Sequence, residues 1–164
     1  MRIKVSRNNP GSRNKDSGIQ KNSVKSQSYT TSIEVERSPS EVFDHLINDV
    51  SKWWPEDFEG ESAKLNDEFV FRSGDAHYSK HKVVELVPDR KVVWLVTESI
   101  RKADNFDWTG TKYIFVLTPQ GDNTLLEFTY DGFILEDEYD RLVRVCDVVI
   151  KEMLHNFIVN GKER

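Results

Sequence analysis

The sequence predicts an α+β domain: a single curved antiparallel sheet of about six strands wrapped on a long C-terminal helix, with two short helices after strand 1. Three observations carry this. Segments between residues 67 and 133 alternate apolar and polar side chains and are joined by short turns such as PDRK and PQGDN, which argues for an antiparallel meander. Residues 136–160 change to a helical period. Between the first strand and the meander lies helix punctuation, Ser38-Pro39 at one end and Pro55 at the other.

Taken in order, YTTSIEVERS places Ile33 and Val35 on one face and Glu34 and Glu36 on the other, a strand with one wet side. In SPSEVFDHLIN, Ser38 caps a helix whose first residue is Pro39, where a missing N–H costs nothing, and Glu41 stands three residues past the cap. Val42, Phe43, Leu46 and Ile47 give this helix its apolar face. A second short helix runs through DVSKWW to Pro55. Strands follow at 67–72, 78–87, 91–99, 111–118 and 124–133. In the last segment Arg144, Asp147, Lys151 and His155 form one wet stripe, and apolar residues fill the rest of about seven turns until Gly161. A sheet covered by so wide an apolar face curls around it and encloses a volume.

The chain of 164 residues is one domain's worth, with 37% hydrophobic and 31% charged residues. No apolar run approaches the ~20 residues of a membrane span, and the basic N-terminus has no apolar core of a secretory signal. The lone Cys146 excludes an internal disulfide framework and fits a reducing compartment, so a cytoplasmic location is expected. Residues 1–28 hold seven Lys/Arg against Asp16, and residues 6–28 have only Ile19 and Val24 as aliphatics; the segment reads as a disordered basic N-terminal tail ahead of a domain over 29–160. The basic residues are dispersed, with no interleaved aromatic before Tyr29, which speaks against nucleic acid as a partner.

SPSEVFDHLIN after the first strand, KWWP ending the second short helix, VVELVPDRKVVW across a hairpin, GTKYIFVLTPQGDNTLLEFTYDGF and the closing helix occur in that order between Tyr29 and Phe157. Together they resemble the SRPBCC (START-like, helix-grip) superfamily, and within it the group named for the activator of heat-shock-protein-90 ATPase homologue. Two departures stand out: Trp54 meets Pro55 with no intervening Gly, and Tyr130 stands where a His is common. The resemblance implies a helix-grip fold with an internal cavity for a small hydrophobic or amphipathic molecule such as a lipid.

Alternation assigns the faces independently. Phe69 and Phe71 share one side of their strand; so do Val92, Trp94 and Val96, then Tyr113, Phe115 and Leu117, then Leu126, Phe128 and Tyr130. If all face the helix, seven aromatics meet Leu142, Cys146, Val149 and Met153, and the alternative to a cavity is a solidly packed core. Tyr113, Tyr130 and Lys82 are the polar groups offered to one end of a ligand. Of the paired tryptophans, Trp54 is expected to turn inward at the cavity mouth beside Phe58, with its indole N–H on a carbonyl or a ligand oxygen. Trp53 then covers the seam or rim.

Nothing calls for a catalytic residue, a cofactor or a metal. His77 and His81 sit four apart on a strand, about 13 Å between them, and read as solvated. His45 and His155 fall on exposed helix faces, and Cys146 behaves as a small hydrophobe. The run EDEYD at 136–140 suits the positive end of the last helix. No phosphate loop, nucleophile elbow or zinc motif occurs. Ile114, Val116, Leu125 and Val93 fall on the opposite face and suggest a surface for a protein partner or homodimer. Three functions remain: ligand binding, a protein-interaction module assisting a chaperone ATPase, and a cyclase- or hydrolase-like enzyme. The last would need an inward acid–base pair.

Overall fold

The computed structural model describes residues 24–103 and 107–164. Strand β1 (Val24–Val35) leads into helices α1 (Pro39–Asn48) and α2 (Val50–Trp53). Six strands follow: β2 (Asp57–Gly60), β3 (Glu68–Ser73), β4 (His77–Val87), β5 (Lys91–Arg101), β6 (Lys112–Gln120) and β7 (Asn123–Leu135). A 3-10 turn (Glu136–Glu138) opens the closing helix, which runs through α3 (Tyr139–Asp147), a π-helical segment (Val148–Leu154) and α4 (His155–Asn160). The strands form one antiparallel sheet in the order β1-β7-β6-β5-β4-β3-β2.

The sheet has seven strands rather than about six, because β2, only four residues long, pairs with β3 from Asp57↔Arg72 to Gly60↔Phe69. Strand β1 begins at Val24, within the segment expected to be tail; its backbone pairs with β7 from Val24↔Leu135 onward, and ladder bonds do not require apolar side chains. The remainder of the expected tail, residues 1–23, lies outside the described residues.

Ser38 caps α1 as its sequence predicts: Glu41 N–H donates to Ser38 Oγ at 3.3 Å, Pro39 occupies the first turn, and Val42, Phe43 and Leu46 are buried. Register shifts at Lys80/His81 and Val83/Glu85 between β4 and β5 are the irregularities that bend a sheet around its cover. At Gly60, φ is +120° and an added Cβ would lie 2.5 Å from the Glu68 carbonyl oxygen. Gly60→Ala is therefore expected to cost about 2 kcal/mol or more, read as a fall in urea midpoint with unchanged slope.

The closing helix departs from a plain α-helix. Its π-helical segment spans the β-branched run Val148, Val149 and Ile150; Val149, Ile150 and Leu154 still turn inward, while Val148 is exposed. Gly161 ends it in the left-handed region, φ +67°, with its N–H on the Phe157 carbonyl. On the convex face Val93 is buried, and Ile114, Val116 and Leu125 are half-covered by their neighbours. The open apolar patch expected there is not formed. The exposed large apolar residues include instead Ile100 on β5, Phe133 on β7, and Val145 and Val148 on the helix.

Candidate functional site

All seven aromatics assigned by alternation do turn toward the helix, and each is buried. The sheet register places them in rows: Trp94 opposite Tyr113 opposite Tyr130, and Phe115 opposite Phe128. They divide into two regions. Phe69, Phe71, Trp94 and Phe115 join Trp53 in closely packed rings, with Trp53 stacked on Trp94 at 6.4 Å and Phe69 edge-on to Trp94 at 5.0 Å. Phe58, half-buried, covers Phe69 and Phe71 from 5.4 and 6.1 Å, and Met153 packs against the core from the helix. In this half the sheet and helix are filled, so these six expected cavity residues, Trp53 aside, are core.

The other half is hollow. A cavity of about 270 Å³ lies between the sheet, represented by Tyr113, Phe128 and Tyr130, and the helix, represented by Leu142, Cys146, Val149 and Ile150. Trp54, Pro55, Trp108 and Val145 complete its apolar lining. Seven of the thirteen residues expected around a cavity thus line one: Trp54, Tyr113, Phe128, Tyr130, Leu142, Cys146 and Val149.

Both tryptophans are buried, Trp53 completely and Trp54 to 8% exposure. Adjacent residues reach one core because α2 ends at Trp53, and Trp54 is already extended, φ −76° and ψ 136°. Trp53 therefore does not cover a rim; it is core, its N–H 3.4 Å from the His45 carbonyl oxygen. Trp54 faces the cavity and lies flat on Phe71, centroids 4.3 Å apart and planes within 5°. Its N–H donates to Glu56 Oε1 at 3.2 Å, a carboxylate rather than a carbonyl.

Glu56 is the hub of the polar edge. Its Oε2 accepts from Ser73 Oγ and from His77 Nδ1, both at 2.7 Å. Burial by itself would raise this carboxyl, but hydrogen bonds from His77 and Ser73, with the charge of His77, outweigh it and hold Glu56 below the ordinary value. His77 Nε2 is buried with no partner in the protein. Further along the opening, Glu138 Oε2 accepts from Arg101 at 3.3 Å and Arg141 at 2.9 Å, and Arg101 lies over the Trp108 ring at 5.5 Å. Burial pushes Tyr130 and the Cys146 thiol up to about 12 and Tyr113 well above its usual value, so all three are neutral hydrogen-bonding groups near pH 7.

Two histidine expectations and the lysine are corrected. Neither His77 nor His81 is solvated, because inward positions on β4 are the odd ones, running from His77 through Ser79 and His81 to Val83. His81 is fully buried, parallel to Phe69 at 5.2 Å, and 2.9 Å from Ser79 Oγ. Lys82 falls on the outward parity and offers no polar end to the cavity. His45 is only half-exposed, edge-on to Phe157 at 5.3 Å, and its Nδ1 is 2.8 Å from Asp49 Oδ2. The polar residues that sequence reasoning missed, Glu56, Ser73, His77, Arg101 and Arg141, all line the cavity. For His77 a signal existed, its shared parity with Val83; for the others there was none, since Ser73 and Arg101 end their strands, Glu56 sits in a loop and Arg141 lies in the first turn of α3.

Solved structures share this architecture. The Aha1 dimer from Colwellia psychrerythraea aligns with a TM-score of 0.67 at 22% identity, covering 83% of this chain and 98% of that one. A Rhizobium loti protein aligns at 0.65 with 20% identity over 79% and 95% of the two chains. CalU16 from Micromonospora echinospora aligns at 0.62 with 13% identity over 85% and 86%. No curated protein matches the chain in sequence. Among the described residues no helix is long and apolar enough to cross a membrane. Residues 36–158, from the end of β1 into α4, match the model of the family described as Activator of Hsp90 ATPase homolog 1-like protein, and the chain belongs to that family.

Proposed function

We propose that this protein binds a small hydrophobic or amphipathic molecule in the cavity between sheet and closing helix, in the cytoplasm. The observation that carries the reading is the hollow of about 270 Å³ at one end of a core that is otherwise filled. Its lining is mainly aromatic and aliphatic with a few polar side chains among them, the composition expected of a ligand site. Burying about 200 Å² of ligand apolar surface gives roughly 5 kcal/mol before the cost of association, so apolar burial alone supports affinities of about a millimolar or weaker, and tighter binding draws on the polar groups.

Cys146→Phe tests this. Cys146 lines the cavity from the helix, and a phenyl ring there occupies the space a ligand would take. The variant is expected to weaken binding of a neutral fluorescent hydrophobe at least tenfold while changing the urea midpoint little. Retained binding would place the probe elsewhere. Native mass spectrometry of freshly purified protein supplies the second reading: a co-purifying small molecule, lost in Cys146→Phe, supports a carrier.

A protein-interaction role draws on a different observation. Val145 and Val148 stand about 45% exposed on the helix, and the Colwellia psychrerythraea relative of the same fold is a dimer. That role predicts self-association or partner capture that survives Cys146→Phe.

A further inference from the structure

The apolar walls do not account for the pair at the cavity edge. His77 Nδ1 sits 2.7 Å from Glu56 Oε2, and Glu56 is additionally bonded by Trp54 and Ser73, which fixes its orientation. An ionised carboxylate only accepts, so the imidazole proton is on Nδ1. In the neutral ring Nε2 is then a bare lone pair, and it is buried in a cavity-lining residue with no protein donor to meet it. A carboxylate that fixes the tautomer of a histidine and steadies its positive form is the arrangement by which proteins make imidazole a base.

We propose that His77, held by Glu56, accepts a proton from the bound molecule, so that the cavity selects ligands with an acidic hydroxyl: a phenol or a carboxylic acid attached to an apolar body. The inference rests on the binding role proposed above. In the step the ligand O–H bond breaks, its electron pair stays on oxygen, and the proton bonds to His77 Nε2. The products are an imidazolium between the Glu56 carboxylate and the ligand oxyanion, with no oxidant or co-reactant required. Arg101 and Arg141, which line the same cavity, set positive charge near the oxyanion; Glu138, bonded to both, is the carboxylate beside them. Tyr113, Tyr130 and Cys146 remain neutral and do not compete for the proton. His81, behind His77 on β4, lies outside the cavity lining. A merely structural His77, anchoring Glu56 and through it Trp54, would make no such selection.

The experiment compares 4-nitrophenol with its methyl ether, 4-nitroanisole, at a pH where free nitrophenol is mostly neutral. Expected is binding of both, with the phenol at least tenfold tighter and the bound phenol showing the nitrophenolate absorption band. His77→Gln and Glu56→Gln should each abolish the band and bring the phenol to the affinity that the same variant shows for the ether. Equal affinities in the parent protein, or a band that survives His77→Gln, would overturn the inference while leaving the cavity reading intact. Binding of neither probe would end both. Should the variants fold poorly, nitrogen NMR of the parent protein decides: the His77 Nε2 resonance must move from the bare to the protonated range with nitrophenol and stay in place with nitroanisole. A resonance that does not respond to nitrophenol would overturn the assignment.

Discussion

Replacing Trp53 with alanine is expected to destabilise the protein by about 4 kcal/mol, the largest effect of any single truncation proposed here. Trp53 is fully buried and meets three aromatic rings and a backbone carbonyl at once: Trp54 at 5.7 Å, Trp94 at 6.4 Å, Phe115 at 6.3 Å, and the His45 carbonyl through its indole nitrogen. Its removal leaves a void in the filled half of the interior, where the neighbouring rings belong to β5 and β6 and cannot collapse without bending the sheet. The measurement is equilibrium urea unfolding followed by far-UV circular dichroism. A loss under about 1.5 kcal/mol would mean that this half of the core is far looser than its ring geometry indicates.

The second large effect is on acid stability. His81 is pushed down to about 3, from an ordinary 6.5, by burial among Phe69, Phe71 and Trp94. The native state keeps this imidazole neutral, whereas the unfolded chain takes up a proton below 6.5. Stability is therefore complete above about pH 6.5 and falls as pH is lowered toward 3, by on the order of 4 kcal/mol over the whole window. Glu56 acts in the same direction: its native value is depressed, so its contribution is fully present above the unfolded carboxylate value and is lost as pH falls from there through the lower native value. His81→Gln keeps a hydrogen-bonding partner for Ser79 but cannot titrate. The variant should be less stable than the parent at pH 7.5, through lost ring stacking, and should lose much less on going to pH 4.5. Parallel stability curves for the two proteins would mean that His81 is not the acid-sensitive group.

How far the site could be read from the residues depends on what sets each feature. The inward rows from Trp94 to Tyr130 were legible because strands alternate strictly and each carries two or more large apolar residues in phase. The capped α1 and the glycine-stopped closing helix were legible for the same local reasons. The phase of β4 at its N-terminal end is hidden because HYSKHK has no aliphatic residue and its one aromatic, Tyr78, falls on the outward parity; Val83 sets the phase, six residues after His77. The split between filled and hollow halves was not legible at all. Phe115 and Phe128 face the same way on neighbouring strands, yet only Phe128 touches the cavity, since α1 and α2 bring Trp53 over one and not the other. That is a matter of three-dimensional placement, which period-two patterning does not encode. The start of the long β1, polar from Lys25 to Ser28, is hidden because its pairing is a property of backbone.

That pairing carries a consequence of its own. Among the described residues the first strand pairs with the seventh alone, so contacts such as Val35↔Thr124 and Val24↔Leu135 join parts of the chain about a hundred residues apart. During synthesis at ~5–20 residues per second, β1 leaves the ribosome several seconds before β7 exists to receive it. Throughout that interval its backbone groups stay open to water, to chaperones, or to a neighbouring nascent copy. A permuted chain in which β1 follows the closing helix would bring the two strands much nearer in sequence, and it should fold faster than the natural order.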